Sequence, residues 1–208
     1  ADLEEPTPLD TARSAVVTME CQRGVIGDLA IFPALAATAA EAGVVAAVGG
    51  VVTLAHDAGV PVVHAVFAFD DTPEPRALNA PLLRTAARRP IMAGSDAAEI
   101  APEIGPRPDD LISGRSSGVS PFTRTDLDGR LTDLGVDTLV VCGASLNVGI
   151  PGLCIEAVNL GYRVVVPTDA VVGLPQEFGH DVLRYGISQL ATLVTLEELS
   201  AAWSGSGG

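Results

Sequence analysis

VDTLVVCGASLNVGIPGLCIEAVNLGYRVVV, residues 136–166, decides the fold. An apolar run at 138–142 reaches Gly143. A short polar turn holding Ser145 and Asn147 follows, then an amphipathic run to Gly161 and a second apolar run at 164–166. The spacing predicts strand, tight turn, helix, strand, with the turn at the carboxyl end of the first strand. Backbone N–H groups at the start of such a helix point outward and favour negative charge. Open α/β sheets bind their ligands at this end of the strands.

The same alternation extends outward. Residues 15–19 are continuously apolar, as suits a parallel strand buried on both faces. Pro33 opens an Ala-rich helical segment to about Ala58, with Gly43, Gly49 and Gly50 weakening its middle. A turn at 59–61 leads to a strand at 62–66, and residues 110–113 form a short strand. Thr125 caps a helix that ends near Gly135. After Pro167 the chain reads as loop, then as a helix over 176–190, a strand at 191–194 and a closing helix at 196–203. Residues 70–110 are the least regular, with seven prolines and an arginine cluster of Arg76, Arg84, Arg88 and Arg89. Long loops in compact domains are often lids or interface pieces. With no hairpin signal and no repeat, the expectation is an α/β fold. One three-layer α/β/α domain spans 1–208 around a parallel sheet of about six strands, with an N-terminal arm at 1–13 and a flexible tail at 204–208.

Composition narrows the function classes. With 48% hydrophobic residues the 208-residue chain can bury a full core. Its net charge of -14 supplies no basic footprint for nucleic acid, and an anionic membrane surface would repel it. No run is long enough to span a bilayer, and the acidic first residues lack the basic-then-apolar form of a secretory signal. Three cysteines, Cys21, Cys142 and Cys154, stand at unrelated spacings, which is neither a disulfide framework nor a metal-ligand pattern. A reduced, cytoplasmic location follows as the expectation.

The stretch at 143–162 resembles the isochorismatase-like cysteine hydrolases, whose usual form is G-V-x-T-N-x-C, a helix, then G-Y-x-V. Gly143, Asn147 and Gly161-Tyr162 carry the match, and Gly149 falls where that family has its nucleophilic cysteine. AVVTMECQRG (15–24) is similar to the family's first strand, which ends in I-D-M-Q, and Glu20 takes the place of the catalytic aspartate. Residues 120–143 resemble the S-A-F-x-G-T-x-L segment. The family's lysine lies six residues before Phe122, at Ser116, and this chain contains no lysine. The resemblance therefore implies Glu20, Ser116 and Gly149 in place of an Asp-Lys-Cys trio. It also implies a homodimer or homotetramer, a backbone oxyanion hole, and a cis peptide corresponding to Ala144–Ser145.

Glycine has no side chain, so covalent catalysis in the family's usual form is not available. The isochorismatases proper, which cleave a vinyl ether by acid catalysis, also carry glycine there, although they keep the aspartate and lysine. Glu20 reads as their acid/base or as a solvated acid opening a loop. Glutamate is one methylene longer than aspartate, and a displacement of ~1 Å can cost about 100-fold in rate. Asn147 fits a helix N-cap or a ligand-facing amide. Arg115 can replace the lost lysine's charge but cannot shuttle a proton. Cys154, about 140° around the helix from Gly149, reads as packing, as does Cys142. Cys21 adjoins Glu20 but points to the opposite face of a strand. GRSSG (114–118) matches G-x-S-x-G, with Asp169 and His180 following in hydrolase order. That motif needs a helix directly after it, whereas Val119-Ser120-Pro121 comes next. His56, His64 and His180 are isolated from one another, and no metal or other cofactor is expected. Phe67 and Phe69 wall a pocket or pack in the core.

The chain thus reads as a small-molecule hydrolase or lyase acting by acid/base catalysis on a vinyl-ether-like or other acid-labile substrate. Glu20, Ser145 and Gly149 form the catalytic set, the last two through backbone N–H groups. Gln22, Asn79, Arg115, Ser116 and Asn147 line the substrate site. An inactive binding or scaffold protein is the alternative, and a serine hydrolase using Ser116 is a third reading.

Overall fold

The structure, a computed structural model, describes residues 9–71 and 78–204. Arg76, the first eight residues of the arm and residues 205–208 of the tail lie outside the described residues. Among the described residues seven parallel strands form one sheet: β1 (Ser14–Met19), β2 (Val62–Phe67), β3 (Leu111–Arg115), β4 (Thr138–Ala144), β5 (Arg163–Pro167), β6 (Val171–Val172) and β7 (Thr192–Val194). The main path runs β3-β2-β1-β4-β5-β7, and β6 pairs with β4 beyond the end of β5. Parallel strands require crossovers, and these carry the helices. They are α1 (Pro33–Glu41), α2 (Val44–Asp57), α3 (Pro81–Ala86), α4 (Leu127–Asp133), α5 (Gly149–Asn159), α6 (Gln176–Tyr185) and α7 (Leu196–Ser204). No single helix among the described residues is long and apolar enough to cross a membrane.

Strand periodicity divides the core in two. Val16 and Val140 face a layer built from α1, α2 and α7. Ala15, Val17, Met19 and Val141 face α4, α5 and α6. β1 and β4 are buried at every position, which explains why both read as continuous apolar runs. A third, smaller cluster joins Phe67 and Phe69 to Leu83 and Ala86 of α3 at the carboxyl edge of the sheet.

The structure corrects several boundaries. The Ala-rich segment is two helices, because Gly43 takes the left-handed conformation, with φ 71°, and ends α1 before α2 starts. Gly49 and Gly50 stay inside α2, where the Glu103 carbonyl and the Leu196 side chain approach too closely for a Cβ. α3 lies within the proline-rich stretch read as irregular, and β6 lies within a stretch read as loop. The described part of the arm is tied to the domain: Leu9 packs on the core, Asp10 caps a 3-10 turn and Arg13 pairs with Asp137 at 2.7 Å. Ser204, placed in the tail, is the last residue of α7.

Candidate active site

The strand order turns at β1, whose neighbours are β2 on one side and β4 on the other. The crossovers leave in opposite directions there, and a crevice opens beyond the carboxyl ends. A cavity of about 220 Å³ occupies it. Its floor is Glu20 after β1, Phe67 and Arg115 at the ends of β2 and β3, and Ser145, Asn147, Val148 and Gly149 between β4 and α5. Its walls are apolar: Val25, Ile31, Phe32 and Leu35 before and in α1, Leu82, Leu83 and Ala86 of α3, then Ile91 and Leu174.

Glu20 ends β1 with φ 51°, an uncommon conformation for a residue other than glycine. The turn carries its carboxylate toward β3, where the Arg115 guanidinium donates to it from Nη2. The Arg115 side chain is 3% exposed and the Glu20 side chain 23%. Arg115 Nη2 also reaches the Val119 carbonyl at 3.5 Å, and the guanidinium carbon lies 5.4 Å from the Phe67 ring centroid. Arg115 Nε and Nη1 have neither a hydrogen-bond partner nor solvent access. The residue that supplies a cation beside the acid is therefore Arg115. Ser116, placed at the family's lysine position, lines neither this cavity nor a second one.

The turn after β4 is shaped by close packing. Gly143 has φ 109°, and a Cβ there would lie 2.4 Å from the Met19 carbonyl and 2.7 Å from Cys21 Sγ. The Ala144–Ser145 peptide is cis, as the resemblance implied. Leu146 N–H donates to Val172 at 2.7 Å, which anchors the turn on β6. Among the described residues, neither the Ser145 nor the Gly149 N–H is taken up by a backbone carbonyl. Pro151 falls in the first turn of α5, where a missing N–H costs little. At Gly149 a Cβ would meet Met19 Cε at 2.9 Å and the Ala144 carbonyl oxygen at 3.0 Å. Met19 thus fills the volume that a side chain at 149 would need.

Of three expected substrate contacts, Gln22 and Asn79 stand outside the cavity and Asn147 lines it. Gln22 is fully buried, and its amide donates to the Phe67 and Ala98 carbonyls, both at 3.0 Å, while accepting from Phe67 N–H at 2.8 Å. It pins the end of β2 to the 97–101 segment and does not face the cavity. Asn79 is exposed and outside the lining. Asn147 lines the cavity, but its amide exchanges two hydrogen bonds with Leu174, at 2.6 and 2.9 Å, and makes no helix cap. The described arginines of the cluster, Arg84, Arg88 and Arg89, are exposed and form no clamp on the cavity.

No thiol lines the cavity. Cys21, Cys142 and Cys154 are buried and outside the lining. Burial pushes the Cys21 thiol up to about 12, with the Glu20 charge adding to it and a Thr18 hydrogen bond opposing it. Burial also pushes Cys154 up to about 12 and Cys142 well above its ordinary value. The serine-hydrolase triad is not assembled either. Asp169 and His180 line a separate cavity of about 170 Å³, and both Asp169 oxygens accept the Leu196 N–H. Bends rather than a helix follow Ser116. Among the described residues no group of three or more His, Cys, Asp or Glu is placed to hold a metal ion.

His56 and His64 are joined through Asp110, while His180 stands apart. Thr18 Oγ1 bonds His64 Nδ1 at 2.7 Å, His64 Nε2 meets Asp110 at 3.2 Å, and the other Asp110 oxygen meets His56 Nε2 at 2.7 Å. The apolar walls from residues 31–35 and α3 were also not foreseen. Their only sequence signal is apolar residues at loop ends, which core packing produces equally well.

Comparison with known proteins agrees with this fold. The model of the isochorismatase domain matches residues 14–198. The chain belongs to the isochorismatase family. A Bacillus subtilis relative, the uncharacterized isochorismatase family protein YwoC, is 36% identical over 105 residues, half of this chain and 54% of its own. The phenazine biosynthesis protein PhzD1 of Pseudomonas aeruginosa is 29% identical over 101 residues, 49% of this chain and 48% of its own. The matches span about half the length of these curated relatives. Among solved structures, a cysteine hydrolase from Pseudomonas syringae superposes with a TM-score of 0.75 at 20% identity, covering 98% of this chain and all of the other. N-carbamoylsarcosine amidase from Thermoplasma acidophilum gives a TM-score of 0.65 at 25% identity, covering 88% and 96%.

Proposed function

We propose that this isochorismatase-family protein hydrolyses a small molecule without a covalent enzyme intermediate. The observation that carries the reading is the Glu20 carboxylate, held by Arg115, in a cavity that Ser145 and Gly149 also line and whose two N–H groups are taken up by no backbone carbonyl. A carboxylate that accepts from a guanidinium is configured as a base. Glu20 takes a proton from water, and the water oxygen bonds to the electrophilic carbon of the substrate. Charge developing on the substrate oxygen is stabilised by the two N–H groups. As the scissile bond breaks, the proton on Glu20 passes to the departing atom. A vinyl ether would require the protonated form of Glu20 instead, which would give its proton to the enol-ether carbon and recover one from the attacking water. Arg115 fixes the carboxylate throughout, because guanidinium keeps its own protons.

Incubating wild type and Glu20→Gln with mixed enol ethers, amides and ureides, with products read by mass spectrometry, tests this. The reading expects turnover in wild type and a loss of at least ~100-fold in the variant. Equal turnover in both would remove Glu20 from the chemistry. Binding without turnover in either would identify a binding or scaffold protein.

A further inference from the structure

Thr18 and His64 are register partners on β1 and β2, and alternation puts both on the face covered by α2. Both are fully buried. Asp110, one residue before β3, accepts from His64 Nε2 at 3.2 Å and from His56 Nε2 at 2.7 Å. Burial alone would raise the Asp110 pKa, but the Arg107 N–H and the two imidazoles lower it, so the carboxylate stays ionised in mild acid. An ionised carboxylate only accepts, so both Nε2 atoms carry a proton. Neutral His64 then has a bare Nδ1, and the Thr18 hydroxyl donates to it at 2.7 Å. Thr18 is also hydrogen-bonded to Cys21. A further proton from solvent can settle only on His64 Nδ1. Nδ1 then donates to Thr18 Oγ1, and the hydroxyl proton turns away toward the Cys21 sulfur.

These bonds run through the frame that carries Glu20 and Arg115. Cys21 follows Glu20, and its sulfur packs on Gly143 at the end of β4. The Glu20 N–H donates to the carbonyl of Ala65, next to His64, at 2.8 Å. β3, which presents Arg115 to Glu20, pairs with β2 alone, and Asp110 ties its entry to β2 and α2. Around His64 stand Thr18 from β1, Asp110 from the β3 entry and His56 from α2, with Ile112 beside it on β3 and the Cys21 and Cys142 thiols beyond Thr18. Asp110 and His56 are the charged or titratable groups that act on it. A fully buried imidazolium loses solvation that one shared carboxylate only partly offsets, so the protonated state is the looser one. We infer that Thr18, His64, Asp110 and His56 form a proton-linked relay that positions the Glu20–Arg115 pair: neutral His64 holds the strand ends together, and one proton on His64 turns Thr18 toward Cys21 and loosens them. The inference rests on Glu20 and Arg115 being the working pair, and it adds control of that pair by pH.

Imidazole NMR at about pH 7.5 is expected to show His64 as the Nε2–H tautomer. An Nδ1–H tautomer would overturn the inference, and so would a His64 that does not titrate before the protein unfolds. Amide exchange of Glu20, taken relative to Val141 of β4 to cancel global opening, reads the coupling. Across the His64 titration this protection ratio is expected to fall at least ~10-fold in wild type and less than ~2-fold in His64→Asn. His56→Gln keeps a donor to Asp110 and is expected to keep the fall. Thr18→Val removes the hydroxyl and is expected to abolish it, and Thr18→Ser to restore it. Equal loss at Glu20 and Val141 would reduce the effect to global stability and overturn the relay. A fall that survives in His64→Asn, or that disappears in His56→Gln, would do the same. Should Thr18→Val fail to fold, wild type, His64→Asn and His56→Gln still decide the point. None of these readings needs turnover. A coupled ratio in a protein whose Glu20→Gln variant hydrolyses substrate unchanged would end the catalytic reading and leave the relay standing.

Discussion

Met19 and Gly149 compete for one volume. A side chain at 149 is opposed by Met19 Cε and by the Ala144 carbonyl, and only the first can swing away. Gly149→Cys should therefore destabilise the protein by about 1–3 kcal/mol in urea denaturation, the usual cost of overpacking. Adding Met19→Ala should relieve it. The double variant is expected to be at least ~1 kcal/mol more stable than the sum of the two single effects, and simple additivity would show that the residues do not share space. The same single-residue logic applies to Arg115. Removing one partner of a desolvated ion pair leaves the other uncompensated, so Arg115→Leu should lower stability by roughly 1–3 kcal/mol, below the fully buried range because Glu20 keeps some solvent. A midpoint within error of wild type would contradict this. At this scale Glu20 was legible, because an acid directly after a buried strand stands out. Met19 was not, since methionine in an apolar run looks like core whatever it displaces.

At the scale of elements, Thr18 on β1, His64 on β2, His56 on α2 and Asp110 before β3 form one buried polar chain. Asp110 also accepts the Arg107 N–H at 2.7 Å. Burial lowers the His64 pKa from its ordinary 6.5, Asp110 opposes that shift and His56 adds to it. For Asp110 burial acts upward, but the Arg107 N–H and the two imidazoles outweigh it, and its pKa falls below 3.8. Both shifts have the same consequence on acidification. The unfolded chain protonates histidine near 6.5 while folded His64 stays neutral, so stability drops as pH falls through 6.5 toward the folded value. The Asp110 contribution is present above 3.8 and is lost below it. Urea midpoints at about pH 7.5 and 5 should fall on acidification in wild type and fall less in His64→Asn; equal slopes would exclude His64. Elements differ in how far they announce themselves. β4, α5 and β5 were legible because apolar runs and an amphipathic period alternate cleanly. β6 was not, because two valines between a turn and a proline give no period, and α3 was hidden by the prolines around it.

For the whole molecule, 26 acidic residues face 12 arginines, with no lysine. A net charge of -14 repels itself, and salt within physiological range screens exposed charges beyond ~8 Å. Raising NaCl from about 20 to 200 mM should raise the thermal midpoint; relief of about 1 kcal/mol corresponds to ~2–4 °C for a chain of this size. A midpoint that falls would mean that surface pairs such as Arg13–Asp137 outweigh the repulsion. The main alternation of strands and helices, the acid after β1 and the glycine at 149 were determined by sequence, because each depends on neighbours within one or two turns of chain. The tertiary structure alone decided that Arg115, 95 residues from Glu20, supplies the cation, that Gln22 turns its amide into the backbone, and that α3 and residues 31–35 close an apolar cavity. Those facts follow from which strands lie side by side and in what register. Local periodicity carries no record of such pairings, since any buried strand presents the same alternation to whichever neighbour it meets.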